Sequence, residues 1–261
     1  MSFDVVMIGG GNMGAALLGG MIDSGSFDPA SSAVVEVRAE RRDELAGMWP
    51  GLTVVAETPS CTSAVVAVKP GDVPAAVTAA VSAGAVRVLS IAAGVTLATL
   101  EEAAGPGVGV VRAMPNTPAL VGEGVSAISG GASAGDDDLD WASTILGSVG
   151  IVEVLAEPLL DAFTGVAGSG PAYVFLVAEA LTDAAVAQGL ARPTAVRVVN
   201  QLLLGSSTLL ARDGDAASLR AAVTSPGGTT AAGLARLEDH AVRSAFAAAV
   251  DAATARSREM A

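Results

Sequence analysis

The chain is short of reactive side chains. Its 261 residues hold one cysteine, Cys61, one histidine, His240, and one lysine, Lys69. A lone thiol excludes an internal disulfide and any cysteine-based zinc centre, and no metal site is expected. His240 falls in a charged stretch and reads as a surface residue rather than a titrating or metal-binding one. Lys69 ends the run "AVVAVKP" and is not on a helix of the second half. With His240 set aside and Lys69 so placed, no ordinary base remains to take a hydroxyl proton, which argues against alcohol oxidation. Positive charge is scarce too: 14 Lys and Arg stand against 27 Asp and Glu, a net charge of −13. Such a surface repels phosphate backbones, so nucleic acid is not an expected partner and any phosphate ligand must be held by local features. Long apolar runs are also missing. The charge-free stretch from Ala162 to Ala178 is broken by Gly168-Ser169-Gly170-Pro171, and no segment reaches the roughly 20 continuous apolar residues of a membrane span. The opening "MSFDVVMIGGGNMG" has no basic segment and does not read as a signal peptide, so a cytoplasmic location is expected.

What is present is a globular composition, 51% apolar, ample for a buried core. Short apolar runs at 5–8, 33–37, 52–55, 64–68, 86–91, 108–112, 124–129 and 151–154 alternate with helical patterns. Several are β-branched throughout, as parallel strands covered on both faces require. Beyond Pro158 the strands stop, and helical stretches follow at about 171–188, 193–212, 215–223 and 229–257. The expected fold is α/β: a Rossmann-type doubly wound sheet over 1–156, then an all-helical domain over 157–261. Stretches such as "PAYVFLVAEALTDAAVAQGL" carry apolar side chains around much of the helix and need cover. A homodimer through this half provides it; packing wholly against the first domain is the alternative.

The first strand runs into Gly9-Gly10-Gly11-Asn12-Met13-Gly14, a G-x-G-x-x-G that opens a helix, the context in which this motif signals a dinucleotide. Gly9 suits the tight turn, Gly11 the approach of a pyrophosphate, and Gly14 close helix–strand packing, while Asn12 and Met13 lie where the helix N-terminus offers its N–H groups. The second strand decides which nicotinamide is bound. An acid at its end holds a ribose 2′-hydroxyl, and a cation holds a 2′-phosphate. In "VEVRAERR" Arg38 falls at the expected strand end, with Arg41 or Arg42 next in order, which favours NADPH. If the strand ends two residues earlier, Glu36 takes that place and the reading shifts to NADH. Reduction of a C=N bond suits a chain without a base, because an iminium arrives already activated for hydride and the protein mainly orients it.

The chain resembles the pyrroline-5-carboxylate reductases over essentially its whole length. The resemblance is carried by "MIGGGNMGAALLGG" at 7–20, "AVKPGDV" at 67–73, "SIAAGVTL" at 90–97, "VRAMPNTPALVGEG" at 111–124, "GSGPAYVF" at 168–175 and "TSPGGTTAAGL" at 224–234. It implies NAD(P)H-dependent reduction of L-1-pyrroline-5-carboxylate to L-proline, the last step of proline biosynthesis. It also implies a helical dimerisation domain and dimers that often assemble further into a decamer. The Pro226-Gly227-Gly228 turn and the helix start at Thr229 would form a small anion site for the substrate carboxylate, with hydroxyls from Thr230 and Ser225. Thr230 is the residue expected to act on the substrate. In the family this loop meets the nicotinamide, and the other subunit completes the site. An ordinary interhelix turn with a threonine N-cap is the competing reading.

Three more blocks are expected beside the cofactor. Val68, Lys69 and Pro70 would offer backbone at a strand end. Ala92, Ala93 and Gly94 are small enough for backbone to reach the nicotinamide ring, though small residues also serve helix–sheet packing. Asn116, between Pro115 and Pro118, either faces the ligand or braces a rigid connector. A reductase of another cyclic imine or of a small 3-hydroxy acid stays open, although the latter would want a helical lysine. A non-catalytic NADP(H) sensor also stays open, although it has no use for a second anion site.

Overall fold

Valine- and alanine-rich runs with apolar side chains on both faces have one stable resting place, the middle of a sheet covered on both sides. The computed structural model, which describes residues 2–260, pairs them in that way. Among the described residues the strands are β1 (Phe3–Ile8), β2 (Ser32–Val35), β3 (Thr53–Val55), β4 (Cys61–Val66), β5 (Arg87–Ser90), β6 (Gly109–Met114), β7 (Gly124–Gly130) and β8 (Gly150–Val154). They form one sheet in the order β3-β2-β1-β4-β5-β6-β7-β8. Every neighbouring pair is parallel except β6–β7, which is antiparallel. Val6 pairs with Ala33 of β2 on one side and Ala64 of β4 on the other. The chain therefore winds outward from β1 to β3 and returns to lay β4 on β1's free side, which leaves a crevice at the carboxyl ends of β1 and β4.

Five helices accompany the sheet: α1 (Asn12–Asp23), α2 (Ala39–Met48), α3 (Val73–Ser82), α4 (Leu97–Ala104) and α5 (Asp136–Gly147). Alternate strand residues feed two cores. Met7, Val34, Val65, Leu89 and Val111 pack with Leu17, Leu18 and Met21 of α1 and Ile145 and Leu146 of α5. Val6, Val35, Val66, Val88 and Val110 pack with Val73 and Val77 of α3 and Leu97 and Leu100 of α4. The period of two along each strand is what sorts them.

After the last strand come α6 (Leu160–Phe163), a π-turn over Thr164–Gly168, then α7 (Gly170–Ala187), α8 (Arg192–Asp213), α9 (Ala216–Ala222), α10 (Thr229–Asp239) and α11 (Val242–Met260). The single helix expected over 229–257 is thus two. His240, exposed as anticipated, caps α10, and Ala241 with φ of 53° breaks the rod. The chain divides into two compact units, residues 2–169 with 252–260, and residues 170–251. The sequence reading sets its division at 156/157. In the first unit Ser257 Oγ donates to Asp161 Oδ1 at 2.7 Å, which fastens the end of α11 beside α6. In the second, α7 packs on α8, and Tyr173, Leu176, Val177, Val242 and Phe246 line an apolar groove of about 180 Å³. The helical run Glu157–Ala187 is long and apolar enough to cross a membrane by length and composition, although the sequence lacks an unbroken apolar segment. Its apolar side chains are exposed in the single chain, Phe175 at 62% and Leu176 at 64%.

Candidate functional site

The crevice is built first by glycine. Gly9 leaves β1 with φ of +108°, a conformation L side chains rarely adopt, and a Cβ there would lie 2.6 Å from the carbonyl oxygen of Ala67. Gly14 lets the first turn of α1 rest on the Gly9 carbonyl, where any side chain would collide. Gly11 is the opposite case: nothing lies within 4 Å of where its Cβ would be. It is also the N-cap of α1, with no side-chain cap. The first turn, with Asn12 exposed and Met13 half-buried, therefore presents uncapped N–H groups and the positive end of the helix dipole to open space, the arrangement a pyrophosphate requires.

A pocket of about 440 Å³ opens at this point, bounded by Gly9, Gly11, Glu36, Arg38, Val68 and Lys69, with Asp72 at its edge. A second hollow of about 580 Å³ adjoins it through Ile8, Val35, Val37, Val68 and Asp72, and Ala76 and Ala79 extend its apolar wall. An anion cradle beside an apolar slot fits the adenosine half of a dinucleotide. Val35, Val37 and Asp72 are wall residues that the motif reading did not single out. Asp72 lies inside the quoted "AVKPGDV" block, so the signal was present without a role attached.

The second strand ends at Val35, not Val37, and this relocates the arginines. The Glu36 N–H still donates to Val55 O at 3.0 Å, but the Glu36 carboxylate then accepts from the Arg38 N–H at 3.0 Å and from Arg38 Nε at 3.2 Å, turning the chain into α2. Arg38 is thus the N-cap of α2 rather than the strand end, and it is exposed. Arg41 donates to the Gly10 carbonyl at 2.8 Å and to Glu44 at 2.7 Å. Arg42 donates to the carbonyls of Glu36 and Val37 at 3.0 and 2.8 Å. Glu36 itself is 7% exposed. Burial pushes its carboxyl up, but hydrogen bonds from the Arg38 N–H and guanidinium, the Arg38 charge and the Gly10 N–H outweigh that and hold it below the ordinary glutamate value.

The remaining predicted residues sit at the carboxyl ends of β4, β5 and β6. Lys69 is exposed and caps the short turn Pro70–Asp72. Ala92 is buried, Ala93 exposed, and Gly94, with φ of +75°, lies where a Cβ would meet the backbone of Met260. The loop they form leads into α4, whose first N–H, on Leu97, donates to Glu157 Oε1 at 2.7 Å; the same oxygen receives Arg112 Nη1 at 2.8 Å. The Arg112–Glu157 pair spans 45 positions and leaves no local mark in the sequence. Asn116 is buried, its Nδ2 donating to Ala167 O at 3.1 Å and its Oδ1 accepting from the Val125 N–H at 2.9 Å. Both ends of its amide therefore brace the connector.

In the second unit, Ser225–Thr230 is a turn with Gly227 at φ of +70° and the Gly228 N–H bonded to Ser225 O at 3.0 Å. Gly228 is the N-cap of α10 and no side chain caps that helix, so the threonine N-cap reading does not apply. Thr229 is exposed and Thr230 half-buried in the first turn. Backbone N–H groups and two hydroxyls thus share one small surface, with the donor set a carboxylate needs.

Residues 157–260 match the family described as pyrroline-5-carboxylate reductase dimerisation, and residues 4–94 match the family described as NADP oxidoreductase coenzyme F420-dependent. The pyrroline-5-carboxylate reductase of Mycobacterium tuberculosis is 40% identical, over 98% of this chain and 96% of its own. That of Synechocystis is also 40% identical, over 100% and 99%. Among solved structures, a pyrroline-5-carboxylate reductase from Coxiella burnetii superposes with a TM-score of 0.92 at 31% identity, over 100% of this chain and 99% of that one. The Plasmodium falciparum pyrroline carboxylate reductase with NADP bound gives 0.83 at 29% identity, over 99% and 98%.

Proposed function

Because the chain belongs to the pyrroline-5-carboxylate reductase family, we propose that it reduces L-1-pyrroline-5-carboxylate to L-proline with NAD(P)H. The observation that carries this reading is the pairing of two anion sites in one chain, the uncapped N-terminus of α1 at the glycine turn and that of α10 at Ser225–Thr230. NAD(P)H, when bound, would supply a hydride for the imine carbon of the protonated substrate, the C=N electron pair being left on nitrogen as the ring amine. Gly9, Gly11, Asn12, Met13 and Gly14 hold the pyrophosphate, and Arg38 and Arg41 flank the adenosine ribose. Val68, Lys69, Pro70, Ala92, Ala93, Gly94 and Asn116 shape the walls toward the nicotinamide by backbone and packing. Ser225, Gly227, Gly228 and Thr229 hold the substrate carboxylate, and the Thr230 hydroxyl orients the ring. No side chain has to remove a proton, which suits a chain whose only lysine is exposed at a turn.

The chain forms homo-oligomers through its helical C-terminal domain. We keep the functional division at 156/157, a reading supported by a dimerisation match that covers residues 157–260. The reading extends to dimers assembled into a decamer in the cytoplasm, where a single buried thiol would stay reduced. Sedimentation of the purified protein tests the assembly. The activity test is loss of reduced nicotinamide absorbance with pyrroline-5-carboxylate, with proline identified as product. Nucleotide binding without any turnover would overturn the reading in favour of a sensor.

A further inference from the structure

The end of β2 holds an acid and three arginines, and the structure gives each a definite partner. Glu36 is the first residue past the strand, at the rim of the same pocket as Gly9 and Gly11. At this place in a βαβ nucleotide site the group that meets the adenosine ribose comes from the chain just after the second strand. The Glu36 carboxylate is not a loose surface acid. It is 7% exposed and held by the N–H and Nε of Arg38 on one oxygen. An oriented, ionised carboxylate of this kind accepts hydrogen bonds from the two ribose hydroxyls. It is a poor neighbour for a phosphate carrying close to two negative charges.

The cations that a 2′-phosphate would recruit are already engaged. Arg41 is anchored through Nε and Nη1 and Arg42 through Nη1, and swinging either toward a 2′-phosphate would leave the carbonyls of Gly10, Glu36 and Val37 without those donors. Arg38 is the exposed one, at 63%, but its Nε is paired with Glu36. To serve a 2′-phosphate it would have to leave that pair while the phosphate approached the carboxylate. NADPH therefore binds against a penalty that NADH does not meet.

We infer that Glu36 is the cofactor-specificity residue of this chain, receiving the ribose hydroxyls of NADH and disfavouring the 2′-phosphate of NADPH, with Arg38 as the group that lets NADPH bind at all. The inference rests on residues 1–156 holding a dinucleotide and deepens that reading. Both reduced nucleotides remain substrates; their order is what the residue sets.

The test is titration of NADH and NADPH by protein fluorescence, without imine substrate, on the native chain and on Glu36→Gln. NADH is expected to bind the native chain roughly tenfold more tightly, and Glu36→Gln to erase or reverse that ratio, about the size of one charge-assisted hydrogen bond. Arg38→Ala is expected to weaken NADPH more than NADH. Tighter NADPH binding by the native chain overturns the inference, and so does a ratio that Glu36→Gln leaves unmoved. If the variant does not fold, the native ratio decides alone. Should neither nucleotide bind, the dinucleotide reading falls with it. Ordered binding without turnover of pyrroline-5-carboxylate would remove the proposed activity and leave the inference standing.

Discussion

Two hydroxyl-bearing residues follow Gly228, and they are not equivalent. Thr229 is exposed and Thr230 half-buried at the start of α10. Thr230→Ala should lower kcat/KM for the imine by roughly tenfold while nucleotide affinity stays within about twofold, because the proposed role of Thr230 is a contact to the substrate alone. Steady-state kinetics beside nucleotide titration separate the two, and unchanged kinetics remove Thr230 from the site. Cys61 makes the contrasting case of a reactive group kept silent. It is buried at 1% exposure in β4, and burial pushes its thiol above the ordinary value. A disulfide reagent at neutral pH should label it slowly in the native protein and at once after denaturation. Fast native labelling would place it nearer the surface than the structure does.

At the scale of elements, the helices earn their stability from the sheet rather than from their own sequences. Leu100 in α4 is fully buried among Val88, Val110 and Val77. Leu100→Ala should cost about 2–5 kcal/mol, measured by denaturant unfolding, and a loss under about 1 kcal/mol would contradict that packing. Strands and helices were legible because burial on both faces writes itself as β-branched runs, and because the glycine turn at 9–14 has a required spacing. Where the elements were not legible, the deciding information lies outside the apolar pattern. Val37 prolongs the apolar pattern, yet β2 stops at Val35 because the Glu36 side chain captures the Arg38 N–H. The break at His240–Ala241 uses neither glycine nor proline. The direction of β7 is invisible to a pattern that records only burial. Asn116 showed its type but not its task, since its partners, Val125 and Ala167, come from separate later segments.

On the scale of the whole molecule, the exposed apolar side chains of α7 and α8, Leu176 and Leu204 among them, are explained by a partner chain, in keeping with the dimerisation match. The other large-scale feature is that residues 252–260 belong with residues 2–169 rather than with the helices just before them. Deleting residues 252–261 removes the Ser257–Asp161 bond and the backbone that lies against Gly94. It should lower the thermal midpoint and weaken nucleotide binding together. A truncated chain that keeps both would show that this return is ornamental. The return also has a meaning in time. A ribosome delivers the sheet first and the last piece of the same unit some 80 residues later, after the whole of residues 170–251. The nucleotide-binding unit is thus a parenthesis that synthesis opens early and closes last. A chain stalled anywhere in the helical half carries a finished sheet in an unfinished unit, a clasp still missing its hook.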